Sequence, residues 1–160
     1  MKEIPLFHQD KVTIVDNYEF EWLSQFKWLY KTGGYIRRLE WNGRQISFYM
    51  HREIMNAPVG MVVDHIDRNP LNNQRSNLRI CTIPENLRNY KIAKNNTSGY
   101  MGVSIRKTTH RWEASIMVNR LSIHLGYFRT AKDAAIARDE AAKKYFGEFA
   151  HLNFGGSNDL

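Results

Sequence analysis

"VDHIDRNPLNNQRSNLRICTIPEN", Val63–Asn86, is the stretch on which the reading of this chain turns. Between Val63 and Leu78 it is crowded with side-chain amides: Asn69, Asn72, Asn73, Gln74 and Asn77. A long polar loop with no secondary-structure period is uncommon inside a compact domain and is usually functional or disordered. Its flanks are ordered by pattern. Met61–Ile66 reads as a strand before it and Leu78–Cys81 as a strand after it. Thr82, with Glu85 three residues on and Pro84 in the first turn, opens a helix running to about Ala93.

A strand, a loop, a strand and a helix can bring positions 64 and 86 together. The Asp64 carboxylate and the Asn86 side-chain carbonyl are both oxygen donors, suited to a hard cation such as Mg²⁺ that keeps several waters. His65 is the next residue on the strand, and a neutral imidazole near pH 7 is a natural acceptor for a proton from an attacking water. Asn77 can pin the loop by bonding its backbone, as asparagine does in turns. The alternative is a surface loop whose His and Asp only cap turns.

Outward from this stretch, residues 1 to about 60 read as short strands with punctuation. Val12–Val15 is a β-branched run, and Asp16 with Glu19 has the form of a capping box for a short helix through Trp22 and Phe26. Trp28–Tyr30, Tyr35–Trp41 and Gln45–Met50 are strands, the last two joined by Asn42-Gly43, a strong hairpin signal. That sheet is expected to carry Arg37, Arg38 and Arg44 on one side. His51–Met55 makes one helical turn, and His51 is either a phosphate contact or a packing residue at its start.

The polar run "KNNTSG", Lys94–Gly99, has no apolar anchor and marks a domain boundary, giving units 1–94 and 95–160. Beyond it, Met101–Arg106, Arg111–Val118 and Leu121–Tyr127 are strands with tight connections. In the middle strand Trp112, Ala114, Ile116 and Val118 alternate with polar residues, so one face is buried and one free. Thr130 caps a long helix whose Ala134, Ala135, Ala137, Ala141, Ala142 and Tyr145 form a small-residue face, and Gly147 ends it. The fold class is α+β: a small antiparallel sheet and a strand–loop–strand–helix unit, then a three-stranded antiparallel sheet on one helix.

Charge points to the partner. The 160 residues carry 23 Lys+Arg against 16 Asp+Glu, a net charge of +7, spread along the chain. A dispersed positive excess on a chain that is 42% apolar, enough for a core, suggests a polyanion such as nucleic acid. One cysteine, Cys81, excludes an internal disulfide and every CxxC-type zinc knuckle. Cys81 is expected to be a small buried residue, and His8, His110 and His151 show no ligand spacing. No apolar run reaches the length of a membrane span and Met1–Asp10 lacks a signal core, so a soluble intracellular protein in a reducing cytoplasm is expected.

Asp64-His65, Asn77-Leu78-Arg79 and Glu85-Asn86, with "HREIM" ahead of them, resemble the HNH nuclease motif in the form typical of phage- and intron-encoded homing endonucleases. The resemblance covers roughly His51 to Asn89. It implies a ββα-metal fold in which His65 is general base, Asn77 holds the loop, and Asp64 and Asn86 ligate one divalent ion. Asn86, where many relatives carry His, favours oxygen-ligated Mg²⁺ or Mn²⁺ over zinc. Arg79 and His51 are further candidate DNA contacts.

The segment Ser98–Phe154 resembles the ERF-type (ethylene-response-factor) DNA-binding domain at Gly102-Val103, Leu125-Gly126, Ala134-Ala135 and Leu152-Asn153-Phe154. That resemblance implies a sheet laid in the major groove through its free face: Ser104, Arg106, Arg111, Ser115, Met117, Ser122 and His124. Ser104, Met117, Ser122 and His124 stand where plant domains carry arginine or tryptophan, so base preference does not transfer. Together these readings describe a metal-dependent homing-type endonuclease on double-stranded DNA, a monomer or weak dimer nicking one strand per active site. The rival is a non-catalytic DNA-binding regulator that kept the same shape; an RNA-binding protein lacks an RNP-like aromatic signature.

Overall fold

The computed structural model describes residues 1–87 and 96–155. The chain divides into two compact units, Met1–Asn86 and Leu87–Leu160. The boundary read at Lys94 and the expected continuation of a helix to Ala93 lie outside the described residues.

The first unit opens with an antiparallel hairpin of β1 (Lys2–Pro5) and β2 (Val12–Val15). Helix α1 (Asn17–Leu23) follows. Asp16 stands at its N-cap position, but its side chain makes no capping bond there. It accepts instead from the Arg75 backbone N–H at 2.8 Å. Glu19, expected as the partner in a capping box, is buried and paired with Arg75 at 2.7 Å. The pattern locates the start of the helix, but a distant backbone amide claims the cap.

Strands β3 (Leu29–Tyr30), β4 (Ile36–Trp41) and β5 (Gln45–Tyr49) form an antiparallel sheet in that order. Gly43 lies at the centre of the three-residue turn between Trp41 and Gln45 with φ +69°, a left-handed conformation that glycine adopts without a Cβ penalty. The expectation of one basic side fails here. Arg37 and Arg38 are successive strand residues and leave on opposite faces. Arg38 is spoken for: it donates to Glu53 at 3.0 and 2.8 Å and lies against the rings of Phe26 and Phe48 at 4.3 and 4.4 Å.

Helix α2 (Met50–Met55) leads to β6 (Val62–His65) and β7 (Leu78–Cys81), which pair antiparallel, and α3 (Ile83–Asn86) packs beside β6. The expected capping box at α3 is formed: Thr82 N donates to Glu85 Oε2 at 2.7 Å, and Glu85 N to Thr82 Oγ1 at 3.4 Å. The core gathers Ile4, Val15, Ile36 and Ile54 around Trp28, whose Nε1 donates to the Leu23 carbonyl at 2.7 Å. Val63 and Leu78 join that core, so the face of the β6–β7 hairpin that also carries His65 is anchored on it, and Asp64 and Arg79 lie on the opposite face.

In the second unit β8 (Val103–Arg106), β9 (Arg111–Val118) and β10 (Leu121–Phe128) form an antiparallel sheet in the order β10-β9-β8. Helix α4 (Ala131–Phe146) covers it, capped by Thr130, which accepts from Asp133 N at 3.1 Å. Gly147 follows with φ +54°. Ala134, Ala135 and Ala142 are buried against the sheet, but Tyr145 is 41% exposed, and the expected small-residue face is completed by Arg138 and Asp139 instead. The Asp139 carboxylate accepts from the backbone of Asn153 at 2.6 Å and of Phe154 at 2.9 Å, clasping the segment after the helix. No helix among the described residues is long and apolar enough to cross a membrane.

Gly102 is fixed by this packing. It has φ +71°, and a Cβ there would stand 2.5 Å from the Ser115 carbonyl oxygen. Gly102→Ala is therefore expected to destabilise the second unit by about 1–3 kcal/mol for backbone strain, with the clash added. Native-state hydrogen exchange should show faster exchange in β8–β10 and unchanged protection in β6–β7.

Candidate functional site

The amide-rich loop is a compact, bonded structure. Ile14 of β2 donates its N–H to the Leu71 carbonyl and accepts from Asn73 N, both at 2.8 Å, a bridge that stitches the loop to the N-terminal hairpin. Asn77, buried at the end of a 3₁₀ turn (Arg75–Asn77), closes the loop on itself. Its Oδ1 accepts from Asp67 N at 3.0 Å, and its Nδ2 donates to Asp67 Oδ1 at 2.9 Å and to the Asn72 carbonyl at 2.8 Å. Asn72 donates to Asp67 Oδ2 at 2.9 Å and Asn69 N to Asp67 Oδ1 at 2.8 Å. The amides are there because a polar loop pressed against a core must satisfy its backbone from within. Asp67, the hub, is a residue the sequence reading did not single out.

Asp64 and His65 end β6, opposite Arg79 and Leu78 in the register. They are 7% and 6% exposed, and as successive strand residues they leave on opposite faces. Asp64 Oδ2 accepts two bonds from Arg79, at 3.0 Å from Nε and 2.7 Å from Nη2. Arg79, expected to meet DNA, thus lies against the carboxylate. Asn86 is half-buried at the last turn of α3, the helix beside β6.

His65 turns toward the core side. Its Nε2 lies 3.2 Å from Asn73 Oδ1, and its ring meets that of His51 edge-on at 5.3 Å between centroids. Burial pushes the His65 pKa below its ordinary value, outweighing the Asn73 bond and the Asp67 and Asp64 charges that raise it. His51 is buried behind Tyr35 and Tyr49, at centroid distances of 5.2 and 5.9 Å. Burial, then the neighbouring His65 and Arg52, push its pKa down to about 3. Its Nδ1 is buried without a hydrogen-bond partner. Both rings are therefore neutral at pH 7. Cys81 is buried, and burial pushes its thiol pKa up. His8 and His110 are exposed at positive-φ turn positions.

In the second unit the alternation places Ser104, Arg106, Arg111, Ser115, Met117, Ser122 and His124 on one face of the sheet, all but the half-buried Ser115 exposed. Two residues the sequence reading omitted share it, Glu113 and Tyr127. Glu113 Oε1 lies 3.1 Å from His124 Nδ1, and Arg106 donates to the Tyr127 hydroxyl and sits over its ring at 5.2 Å. The strict alternation of β9 was the signal that should have included Glu113.

Among known proteins, residues 56–88 match the HNH endonuclease family. An uncharacterised HNH endonuclease of Acanthamoeba polyphaga mimivirus, L560, is 31% identical over 133 residues, which is 82% of this chain and 68% of that protein. Protein 3.8 of Escherichia phage T7 is 42% identical over 66 residues, 40% of this chain and 54% of that protein. The AP2-like ethylene-responsive transcription factor TOE2 of Arabidopsis thaliana is 41% identical over 61 residues, 38% of this chain and 13% of that protein.

His51 generates an acid-stability prediction. Its folded pKa of about 3 lies below the unfolded value of about 6.5. Neutral burial therefore contributes stability that is complete above pH 6.5 and drains away as pH falls toward 3. His51→Phe, which fits an aromatic setting and cannot be protonated, should lose less stability between pH 7 and pH 4 than the parent chain does. Between pH 7 and pH 4 the unfolding free energy from urea titrations is expected to fall by on the order of a few kcal/mol less in His51→Phe than in the parent chain.

Proposed function

The chain belongs to the HNH endonuclease family, and from that premise we propose a site-specific, divalent-metal-dependent DNA endonuclease of the homing type that nicks one strand per active site. The single observation that carries this reading is the bonded loop, in which Asn77 holds the turn that brings the ends of β6 and β7 together beside α3. Such rigidity is what a positioned proton acceptor needs.

His65 is assigned as general base. A water oxygen attacks the phosphorus, its proton passes to the neutral imidazole, and the bond to the 3′ oxygen breaks. Burial supports the assignment by keeping the ring uncharged at pH 7. Asn77 acts on the loop and not on the substrate.

Asp64 and Asn86 would hold the cation. The fit is tested by the donor set: a buried carboxylate already compensated by a guanidinium, and a half-buried amide on the adjacent helix. Among the described residues no three His, Cys, Asp or Glu side chains converge. A hard ion that takes two protein oxygens and keeps its waters suits this, and zinc does not. When bound, the ion supplies Lewis-acid stabilisation of the leaving oxygen. Arg79, freed from Asp64 in that state, is left to face the phosphate.

The second unit is assigned to site selection. Its likeness to ERF-type domains supports DNA as the partner, and the free sheet face supplies Arg106, Arg111 and His124 as side chains that can reach base edges. A monomer cuts one strand, and a double-strand break needs a dimer or a second event.

His65→Ala should lower cleavage of supercoiled plasmid by on the order of 10²–10⁴ while DNA affinity holds. EDTA should abolish nicking and Mg²⁺ or Mn²⁺ restore it, with Asn86→Asp losing less than Asn86→Ala. Undiminished nicking in EDTA would remove the metal from the mechanism. Arg106→Ala should relax site preference by about 1–3 kcal/mol per base contact, read from a map of nick positions. A loss equal at every sequence would make Arg106 a phosphate contact.

A further inference from the structure

Asn73 has no part in the reaction described above, yet its side chain is fully buried (0% exposed) among polar partners whose directions determine one another. Its Nδ2 donates to the Pro70 carbonyl at 3.0 Å and to Thr13 Oγ1 at 2.9 Å. Its Oδ1 is 3.2 Å from His65 Nε2. Thr13 is equally buried, and its Oγ1 donates to the Leu71 carbonyl at 2.9 Å.

The polarity of this chain of bonds is forced from its far end. A proline carbonyl can only accept, so the nitrogen of the Asn73 amide must face Pro70. The single hydroxyl proton of Thr13 goes to the Leu71 carbonyl, so its oxygen meets Asn73 as an acceptor. The other group in reach of that proton, Met50 Sδ at 3.9 Å, would leave the oxygen an acceptor all the same. The Asn73 oxygen then faces His65 and cannot donate. His65 Nε2 must therefore carry the ring's proton, and in a neutral ring Nδ1 is the acceptor nitrogen. The backbone keeps the chain from loosening: Ile14, next to Thr13, is bonded to Leu71 and to Asn73 itself at 2.8 Å each.

We propose that Asn73 and Thr13 are positioning residues that hold His65 in its Nε2–H tautomer, so that Nδ1 is the atom that takes the proton from water. The catalytic half of this rests on His65 as general base; the tautomer does not. Swinging the ring, or moving the proton to Nδ1, would present a donor to the water and block the step.

The test has an arm independent of cleavage. Long-range ¹H–¹⁵N correlation spectra of the full chain at pH 7, with His65 assigned by comparison with His65→Ala, should show a protonated-type Nε2 and an unprotonated-type Nδ1. A protonated Nδ1 in the parent chain overturns the proposal whatever the activity. Asn73→Ala and Thr13→Val should give a mixed tautomer signal and lower single-turnover cleavage by on the order of 100-fold, the effect of a misplaced group, with DNA affinity unchanged. Thr13→Ser keeps the hydroxyl and should restore both signals. A pure Nε2–H tautomer with parental cleavage in Thr13→Val and Asn73→Ala would overturn the positioning role. A correct tautomer in a chain whose His65→Ala variant still cleaves would overturn the base assignment alone and leave the tautomer standing.

Discussion

The first unit depends on the short backbone bridge between Ile14 and the two residues Leu71 and Asn73. A loop as polar as Asp67–Asn77 cannot bury itself by hydrophobic contact, and closing it costs conformational entropy that only its bonds can offset. The bridge supplies two of those bonds from a strand already fixed in the core through Val15. Everything else hangs on that attachment. Asp16 and Glu19, just beyond β2, hold the far side of the loop through Arg75. Asp67 and Asn77 tie its two ends together. The result is a loop held as firmly as an element, and it was built by spending β2's outer edge on the loop instead of on a third strand.

The same hairpin keeps two chemistries apart. Alternation along β6 sends Asp64 to one side, where Arg79 compensates its charge, and His65 to the other, where burial lowers the imidazole pKa. If both faced one way, the carboxylate would lie beside the ring and favour its charged form, which is useless as a proton acceptor. The guanidinium also explains how a carboxylate only 7% exposed stays where it is. A lone buried anion would be costly, and Arg79 offsets that with a fork of two bonds.

How much of this was legible depends on the range of the interaction. The Asn42-Gly43 turn, the β7 span Leu78–Cys81, the β9 span Arg111–Val118 and the caps at Thr82 and Thr130 are decided by neighbours a few residues away, and the sequence pattern placed each of them. Strand β1 was not placed: "KEIP" carries one buried side chain, Ile4, and is a strand only because β2 pairs with it. Asp64, His65, Asn77 and Asn86 stand out in the sequence as a set through the resemblance, while the bonds their side chains make do not. Asn73 lay in the same crowd of amides as four others, and nothing local marks it as the one that meets Thr13 across the fold. Arg38 and Glu53, Arg75 and Glu19, Arg79 and Asp64 are all pairings of the same distant kind. Arg138 and Asp139 were hidden differently. They sit at inward positions of α4, where the helical period calls for apolar residues, and they are tolerated because Asp139 accepts from the Asn153 and Phe154 backbone N–H groups while Arg138 donates to Asp139 and to the His151 carbonyl.

The second unit sets an apolar inner sheet face against a polar outer one. Its inner face needs only apolar residues and the close approach that Gly102 permits. Its outer face mixes Arg106 and Arg111 with Glu113, and on a face proposed to meet phosphates a carboxylate is unfavourable unless something holds it. His124 does so at 3.1 Å across the β9–β10 pair, just as Tyr127 receives Arg106. These cross-strand contacts fix long side chains before any ligand arrives and so reduce the rotamer entropy lost on binding. On a surface built that way, orientation is set by the sheet register. A bulge between His124 and Gly126 shifts that register by one residue, and this shift puts Tyr127, rather than Gly126 and Phe128, on the face that Ser122 and His124 share.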